Sequence, residues 1–104
     1  MDRISVKDLR TMRKHAGEAA AMMAALSHEA RLRVLCDLVG GERMAGELVE
    51  CSGLSQSALS QHLAKLREEG LVATRRDGVS IFYRIADPNV ARILSVLHDI
   101  YCKR

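Results

Sequence analysis

Large aromatic side chains are scarce in this 104-residue sequence, which contains one Phe, two Tyr and no Trp. A chain of this length forms one domain with a small core, because small domains have a high ratio of surface to volume. With so few aromatic residues a monomeric core would be thin, so the composition favours stability gained through self-association. We therefore expect a single domain, residues 1–104, that assembles with a second copy.

The sequence also lacks a disulfide framework and a membrane-spanning run. Its three cysteines, Cys36, Cys51 and Cys102, are odd in number and widely spaced, which favours a reducing compartment. No apolar run approaches the ~20 residues that a membrane span needs. Basic residues before an alanine-rich stretch loosely imitate a signal peptide, but Glu18 interrupts that stretch. We expect a cytoplasmic protein with no membrane partner.

Signatures of catalysis are missing as well. No Ser, His and carboxylate fall into a nucleophile arrangement, and no glycine-rich phosphate loop is present. We expect neither an enzyme nor a bound cofactor. The net charge of +3 is a modest excess, which permits nucleic acid as a partner without demanding it.

Hydrophobic spacing divides the chain into seven elements. Helices are predicted over residues 5–25, 27–39, 45–51 and 55–70, strands over 71–76 and 79–85, and a last helix from 88 to the end. Ser27 is the predicted N-cap of the second helix, Asp77-Gly78 the hairpin turn, and Pro88 the first residue of the last helix. The predicted fold is mainly α with a small β-hairpin: a winged helix-turn-helix of order α-α-α-α-β-β-α.

Residues 44–69 have the pattern of a helix-turn-helix, in which Gly53 occupies the turn and Leu54 lies beneath it. Leu59, Leu63 and Leu66 form the inner face of the second helix. Side chains that form hydrogen bonds cover the rest of this segment and are the predicted DNA contacts: Ser55, Gln56, Ser57, Ser60, Gln61, His62 and Lys65.

The hairpin that follows this helix is basic. It carries Arg75, Arg76 and Arg84, which are placed to reach a minor groove or its phosphates. A polar helix face is often merely solvated, but here the turn, the polar helix and the basic hairpin occur together and in order. The pattern favours double-stranded DNA as the partner, and the alternative is a winged helix used only for protein contacts.

Several motifs resemble the arsenical-resistance-repressor (ArsR/SmtB) family of bacterial sensors. They are Ala25-Leu-Ser-His28, Arg31-Leu32, Val34-Leu35, Leu54-Ser-Gln-Ser57, Ser60-Gln-His-Leu63, Leu66-Arg67 and Glu69-Gly-Leu-Val72. The resemblance covers nearly the whole chain; one departure is Glu29, where many relatives carry proline. It implies a homodimer built from the first and last helices, which represses a promoter at an inverted-repeat operator until an inducer releases the DNA.

The metal sites familiar in such sensors are not visible. A thiophilic site at the start of the third helix needs cysteines, but that segment reads Glu42-Arg43-Met44-Ala45. An interfacial zinc site on the last helix needs Asp and His ligands on one face. His98 and Asp99 are adjacent, so they point about 100° apart on a helix, and no second His follows. We predict no metal ligands.

The cysteines are then the remaining candidates for the residues that sense the inducer. Cys36 falls on the predicted apolar stripe Leu32, Leu35, Cys36, Val39, where a cysteine is usually a small buried hydrophobe. Cys102, the third residue from the end, is expected to be partly accessible. Spacing alone leaves a pairing of the two open, and the role of Cys51 is open too.

A resemblance to one subgroup suggests that pairing. Cys36 within Val-Leu-Cys-Asp-Leu and Cys102 after Ile-Tyr are similar to the regulators that respond to persulfides and polysulfides. This subgroup includes the biofilm-growth-associated and sulfide:quinone-reductase repressors. The resemblance implies that reactive sulfur species join Cys36 to Cys102 and so lower DNA affinity. A metal sensor or a general oxidant sensor of the same family is the alternative, as is a regulator that activates by displacing another.

Overall fold

The structure, a computed structural model, describes residues 4–102, which form six helices and three strands. The helices are α1 (Val6–Lys14), α2 (Ala16–Leu26), α3 (Glu29–Leu38), α4 (Ala45–Ser52), α5 (Gln56–Glu68) and α6 (Pro88–Tyr101). The strands are β1 (Arg43–Met44), β2 (Val72–Asp77) and β3 (Ser80–Ile85). The mainly α winged helix-turn-helix predicted from the sequence is confirmed, with one helix divided and one strand added.

The predicted helix over residues 5–25 is two helices, and that prediction was wrong. Ser5 starts α1 by accepting a hydrogen bond from the Asp8 amide, while the Asp8 carboxylate accepts one from the Ser5 amide. The chain leaves the helical region at His15, whose ψ is 8°. There the ring Nδ1 lies 2.9 Å from a carboxylate oxygen of Glu18 in the first turn of α2. The apolar spacing continued through this break and did not reveal it.

His28 caps α3, rather than Ser27 as the sequence predicted. The Nδ1 atom of His28 accepts a hydrogen bond from the Ala30 amide at 3.2 Å. The Ser27 hydroxyl donates to the Ala24 carbonyl at 2.9 Å, and this contact ends α2 instead of starting α3.

The buried side of α3 is also rotated from the predicted stripe. Val34, Leu35 and Leu38 are buried, whereas Cys36 and Val39 are exposed on the described chain. Helical neighbours are separated by about 100°, so an inner face centred on Leu35 and Leu38 directs Cys36 outwards. Cys36 is therefore not a core residue of the protomer.

The strands form an antiparallel sheet of order β1-β3-β2. Strand β1 was not predicted, because two residues are too few to show a period. Asp77 pairs with Ser80, so the hairpin turn is Gly78-Val79 and not Asp77-Gly78. Gly78 has a φ of +62° at the first central position, as a type II′ turn requires. Val79, predicted to begin a strand, is fully exposed at the hairpin tip.

One contiguous core joins the helix-turn-helix to the elements around it. It contains Ala25, Leu26, Val34, Leu35, Leu38, Leu48, Leu59, Leu63, Leu66, Leu71, Val72, Val90 and Leu94. Helix α6 begins where predicted, since the Asp87 carboxylate accepts a hydrogen bond from the Asn89 amide at 2.9 Å. Within residues 4–102, no helix has both the length and the apolar character needed to cross a membrane.

Candidate nucleic-acid interface and thiol pair

The turn between α4 and α5 depends on a glycine and a buried serine. Gly53 takes the left-handed conformation, with φ 72° and ψ 8°, directly after α4. The buried Ser52 hydroxyl accepts a hydrogen bond from the Leu54 amide at 3.1 Å and reaches the Val49 carbonyl at 3.4 Å. The first bond lies inside the turn and the second ties Ser52 to α4, so together they hold the turn against the end of α4. Leu54 packs half-buried against the core, as predicted.

Helix α5 turns its leucines inwards and its polar residues outwards. Ser55 caps it by accepting a hydrogen bond from the Ala58 amide at 3.1 Å. Leu59, Leu63 and Leu66 are buried, which fixes the rotation of the helix. The predicted contacts exposed on the described chain are Ser55, Gln56, Ser57, Ser60, Gln61 and Lys65. This face offers hydrogen-bonding groups and, at Lys65, a positive charge, all at the surface of one helix.

His62 differs from the other predicted contacts because it packs against α3. Its ring centroid lies 4.5 Å from that of His28, and its Nδ1 lies 3.4 Å from Nε of Arg31. Partial burial, with His28 and Arg31 as neighbours, lowers the pKa of His62 below its usual value of 6.5. The residue links α5, the predicted DNA-recognition helix, to α3 rather than facing freely outwards.

The hairpin arginines divide between the two faces of the sheet. Paired residues of antiparallel strands share a face, so Arg75 (opposite Phe82) and Arg84 (opposite Ala73) lie together. Arg76, opposite Ile81, lies on the other face and is exposed. Arg75 is held rather than free: its Nε lies 2.9 and 2.8 Å from the two carboxylate oxygens of Glu42, and its guanidinium stacks 4.3 Å above the Phe82 ring.

Cys36 lines a groove between α3 and α6, and Cys102 lies one helical turn beyond His98, another residue of that groove. The groove, of about 300 Å³, is lined by Cys36, Val39, Ala91, Leu94, Ser95 and His98. Cys102 follows α6, and its amide donates to the His98 carbonyl at 2.8 Å. Partial burial, then the charges of Asp37 and of the Cys102 thiolate, raise the pKa of the Cys36 thiol. The two thiols are thus electrostatic neighbours, and both are exposed and unlinked.

Cys51 lies elsewhere. It is an exposed free cysteine on α4, a helix that contributes no residue to this groove. Across residues 4–102 there is no cluster of three or more His, Cys, Asp or Glu side chains with the spacing to hold a metal ion.

Sequence reasoning missed Glu42 and the pair His28 and Arg31. Glu42 is 33 positions from Arg75, and His62 is 31 positions from Arg31. No local pattern connects residues so far apart. The pairing of β1 with β3 brings Glu42 to the hairpin, and a strand of two residues is too short for the sequence to reveal that pairing.

A tightly turned helix pair with a polar outer face, followed at once by a basic hairpin, is the architecture of winged helix-turn-helix DNA-binding proteins. The arsR family of bacterial regulatory proteins matches residues 28–74. Together with the similarity to known regulators described next, this match shows that the chain belongs to the ArsR family.

Three relatives show how far the similarity extends. The transcriptional activator HlyU of Vibrio cholerae is 42% identical over 96 residues, which cover 92% of this chain and 89% of that protein. The biofilm growth-associated repressor of Xylella fastidiosa is 44% identical over 91 residues, covering 88% and 80%. The crystal structure of the repressor BigR from Xylella fastidiosa matches with a TM-score of 0.87 at 42% identity, covering 91% of this chain and 97% of that one. These relatives are transcriptional regulators, and this chain, a member of the same family, is a regulator rather than an enzyme.

Proposed function

We propose that this chain is a homodimeric repressor that binds an inverted-repeat operator when reduced and releases it when reactive sulfur species join Cys36 to Cys102. The observation that carries the proposal is that two exposed, unlinked thiols are neighbours: Cys36 lines the groove between α3 and α6, Cys102 follows α6, and the charge of Cys102 raises the pKa of Cys36. The similarity to a biofilm growth-associated repressor supports repression, and the similarity to the activator HlyU keeps activation as the alternative.

The exposed face of α5 and the hairpin are the proposed DNA contacts. Gln56, Ser57, Ser60, Gln61 and Lys65 are exposed on α5, which suits entry into a major groove. Arg75 and Arg76, on opposite faces of the hairpin, are the proposed phosphate contacts, because guanidinium groups bind phosphates well. Ser55 and His62 complete the proposed set; Ser55 also caps α5, and His62 also contacts α3.

The exposed apolar residues of the first and last helices support a dimer. They are Val6, Leu9 and Met12 on α1, and Val96, Ile100 and Tyr101 on α6. Helix α1 buries no residue within the protomer. The Cα radius of gyration is 15.6 Å, against about 13 Å for a compact chain of 100 residues. We propose that residues 1–104 act as one domain whose terminal helices dimerise, with half-sites about 10 base pairs apart.

The proposed chemistry uses a persulfide, RSSH, as the oxidant. One thiolate attacks the outer sulfur, giving a cysteine persulfide and RSH. The other thiolate attacks the inner sulfur of that persulfide, forming the disulfide and releasing hydrogen sulfide. The two thiols lose two electrons, and the sulfur that leaves as hydrogen sulfide gains them. If both cysteines become persulfides first, the terminal sulfur of one attacks the inner sulfur of the other, which forms a trisulfide and releases the outer sulfur of the second as hydrogen sulfide. A longer bridge spans a distance that a direct disulfide, with its Cα limit of roughly 7 Å, does not.

The bridge would connect α3, which packs beside α5, to α6, which is proposed to form part of the dimer interface. Cys36 lies on α3, whose His28 and Arg31 contact His62 of α5. Cys102 ends α6. Tying α3 to the end of α6 biases the arrangement of the two recognition helices within the dimer, and this lowers DNA affinity.

Fluorescence anisotropy with operator DNA tests the proposal; the operator is recovered by selecting genomic fragments that the reduced protein retains. Sodium tetrasulfide is expected to weaken binding by the wild type at least tenfold, and dithiothreitol to restore it. Cys36→Ser and Cys102→Ser are expected to stay bound, whereas Cys51→Ser, the matched control, responds like the wild type. Release of both serine variants by tetrasulfide would refute the thiol pair.

Mass spectrometry, together with DNA release, separates the inducer classes. The protein is treated in parallel with tetrasulfide, hydrogen peroxide and zinc, and then digested. A peptide pair containing Cys36 and Cys102, joined by one or more added sulfur atoms or directly, is the expected product of tetrasulfide. DNA release by peroxide or zinc alone would instead assign a general oxidant sensor or a metal sensor.

A further inference from the structure

We propose that Glu42 is a positioning residue for DNA binding: it holds Arg75 against Phe82 so that the arginine presents its terminal nitrogens to a backbone phosphate. This inference rests on the proposed role of Arg75 as a DNA contact. It concerns the reduced protein and does not depend on the thiol pair.

The geometry of the Glu42–Arg75 contact leaves half of the guanidinium available. Both carboxylate oxygens of Glu42 lie within 2.9 Å of Nε of Arg75. Within the part of the chain that the structure describes, Nη1 and Nη2 of Arg75 form no hydrogen bond, since both bonds to Glu42 use Nε. These two nitrogens form the planar fork that binds a phosphate through two parallel hydrogen bonds.

Phe82 fixes the plane of that fork. The guanidinium carbon lies 4.3 Å from the ring centroid, a favourable distance for a cation–π contact. Arg75 and Phe82 are also cross-strand partners, so their side chains rise from the same face of the hairpin. An arginine held by a carboxylate at one edge and by a ring below loses little further freedom on binding, and such preorganisation favours affinity.

The strand register explains how Glu42 reaches Arg75. Arg43 pairs with Tyr83 and Met44 with Phe82, so continuing this register places Glu42 opposite Arg84. Glu42 therefore shares the outer face of the sheet with Phe82, Arg84 and Arg75. Hydrogen bonding to Arg75, with the charges of Arg75 and Arg84, lowers the pKa of Glu42, so the carboxylate stays charged at neutral pH.

This role predicts an effect opposite in sign to simple charge repulsion. Removing an acidic group near DNA normally strengthens binding, because phosphates repel carboxylates. If Glu42 positions Arg75, Glu42→Ala instead weakens binding, by about threefold or more, the lower range of coupling between residues in contact. Glu42→Gln keeps an oxygen that accepts from Nε, so it is expected to bind within twofold of the wild type or more tightly.

Asp77 provides the matched control. It is an exposed carboxylate at the end of the same strand, and within residues 4–102 it forms no ion pair. Asp77→Ala therefore removes a nearby negative charge without releasing Arg75. It is expected to bind DNA as tightly as the wild type, or more tightly.

The experiment measures operator affinity of the reduced full chain across a salt series. Arg75→Ala is expected to lower the slope of log K against log salt by about 0.9, one phosphate contact. Glu42→Ala lowers the slope likewise, and the double variant binds no more weakly than Arg75→Ala. Thermal unfolding checks that each variant folds, since an exposed ion pair contributes little to stability.

The outcomes separate this inference from the proposed function. Glu42→Ala binding as tightly as the wild type, or more tightly, overturns the role of Glu42 and leaves the regulator intact. An unchanged affinity in Arg75→Ala overturns it too, because there is then no contact to position. Wild-type protein that binds no operator overturns the proposed function itself.

Discussion

The Nε atom of Arg31 lies 3.4 Å from Nδ1 of His62, and this contact joins α3 to the recognition helix. An arginine side chain only donates hydrogen bonds, so Nδ1 of His62 must accept. The ring is therefore neutral, with its proton on Nε2. A protonated His62 would lose this bond and place a second charge beside Arg31, which agrees with its lowered pKa.

The first prediction is a pH dependence of stability that His62 causes. Its folded-state pKa lies below the usual 6.5, so below that pH the unfolded chain binds more protons than the folded one. Stability is then present above pH 6.5 and is lost as the pH falls towards the folded-state pKa. Thermal unfolding between pH 7.5 and about 5 measures the loss. His62→Asn, which keeps an acceptor near Nδ1, is expected to flatten the curve; an unchanged curve would show that His62 is not the titrating group.

The second prediction contrasts two glycines of the helix-turn-helix. Gly53 has a φ of +72°, and a Cβ there meets nothing closer than Arg33 at 3.8 Å. Gly53→Ala therefore adds backbone strain without a clash and is expected to destabilise by about 1 kcal/mol. Gly46, in the first turn of α4, has open space around it, and Gly46→Ala is expected to stabilise by up to about 1 kcal/mol. Urea unfolding measures both, and equal effects of the same sign would contradict this account.

The third prediction concerns the reactivity of Cys36. After burial, the charge of Asp37 is the largest cause that raises the pKa of this thiol. Asp37→Asn lowers that pKa, so more thiolate forms at neutral pH and iodoacetamide reacts faster. Mass spectrometry of the Cys36 peptide over time measures the rate. Glu50→Gln, an exposed acid on α4, is the control and leaves the rate unchanged. Equal rates in wild type and Asp37→Asn would refute this electrostatic cause.

The fourth prediction separates two kinds of DNA contact on α5. Lys65 is exposed, and its ammonium group lies 3.3 Å from a carboxylate oxygen of Glu69. Because Lys65 is a proposed phosphate contact, Lys65→Ala is expected to weaken binding to all sequences and to lower the salt slope by about 0.9. Gln61→Ala is expected to relax base preference at one operator position, by about 1–3 kcal/mol, with the slope unchanged. Competition binding with single-base operator variants measures the difference. Identical profiles for the two variants would argue against a recognition role for Gln61.

The fifth prediction tests the dimer surface. Ile100 is 61% exposed on the described chain, so Ile100→Lys leaves the protomer core intact while placing a charge in the proposed interface. We expect monomers in sedimentation velocity and operator affinity lower by about a hundredfold or more, because binding at two half-sites is lost. Val79→Lys, at the exposed hairpin tip, is the control and remains a dimer. A dimeric Ile100→Lys would place the interface elsewhere.

Much of the helix-turn-helix was predictable because its signals are local. The leucines at 59, 63 and 66 recur with the helical period, and the Ser55 cap binds an amide three residues away. Asp87 and Pro88 marked the start of α6 in the same way. Where two local signals competed, prediction failed: Ser27 and His28 could each cap α3, and the ring of His28 took that place.

The sequence by itself therefore determined the fold class, the polar face of α5 and the candidate cysteines. The tertiary structure alone decided which distant residues meet. It brought Glu42 to Arg75, His62 to Arg31, and Cys102 close enough to Cys36 for its charge to raise the pKa of that thiol. Hydrophobic period and capping act within a few residues, whereas these contacts depend on strand register and helix packing across the whole domain. The tertiary structure also turned Cys36 from its predicted apolar stripe to the surface.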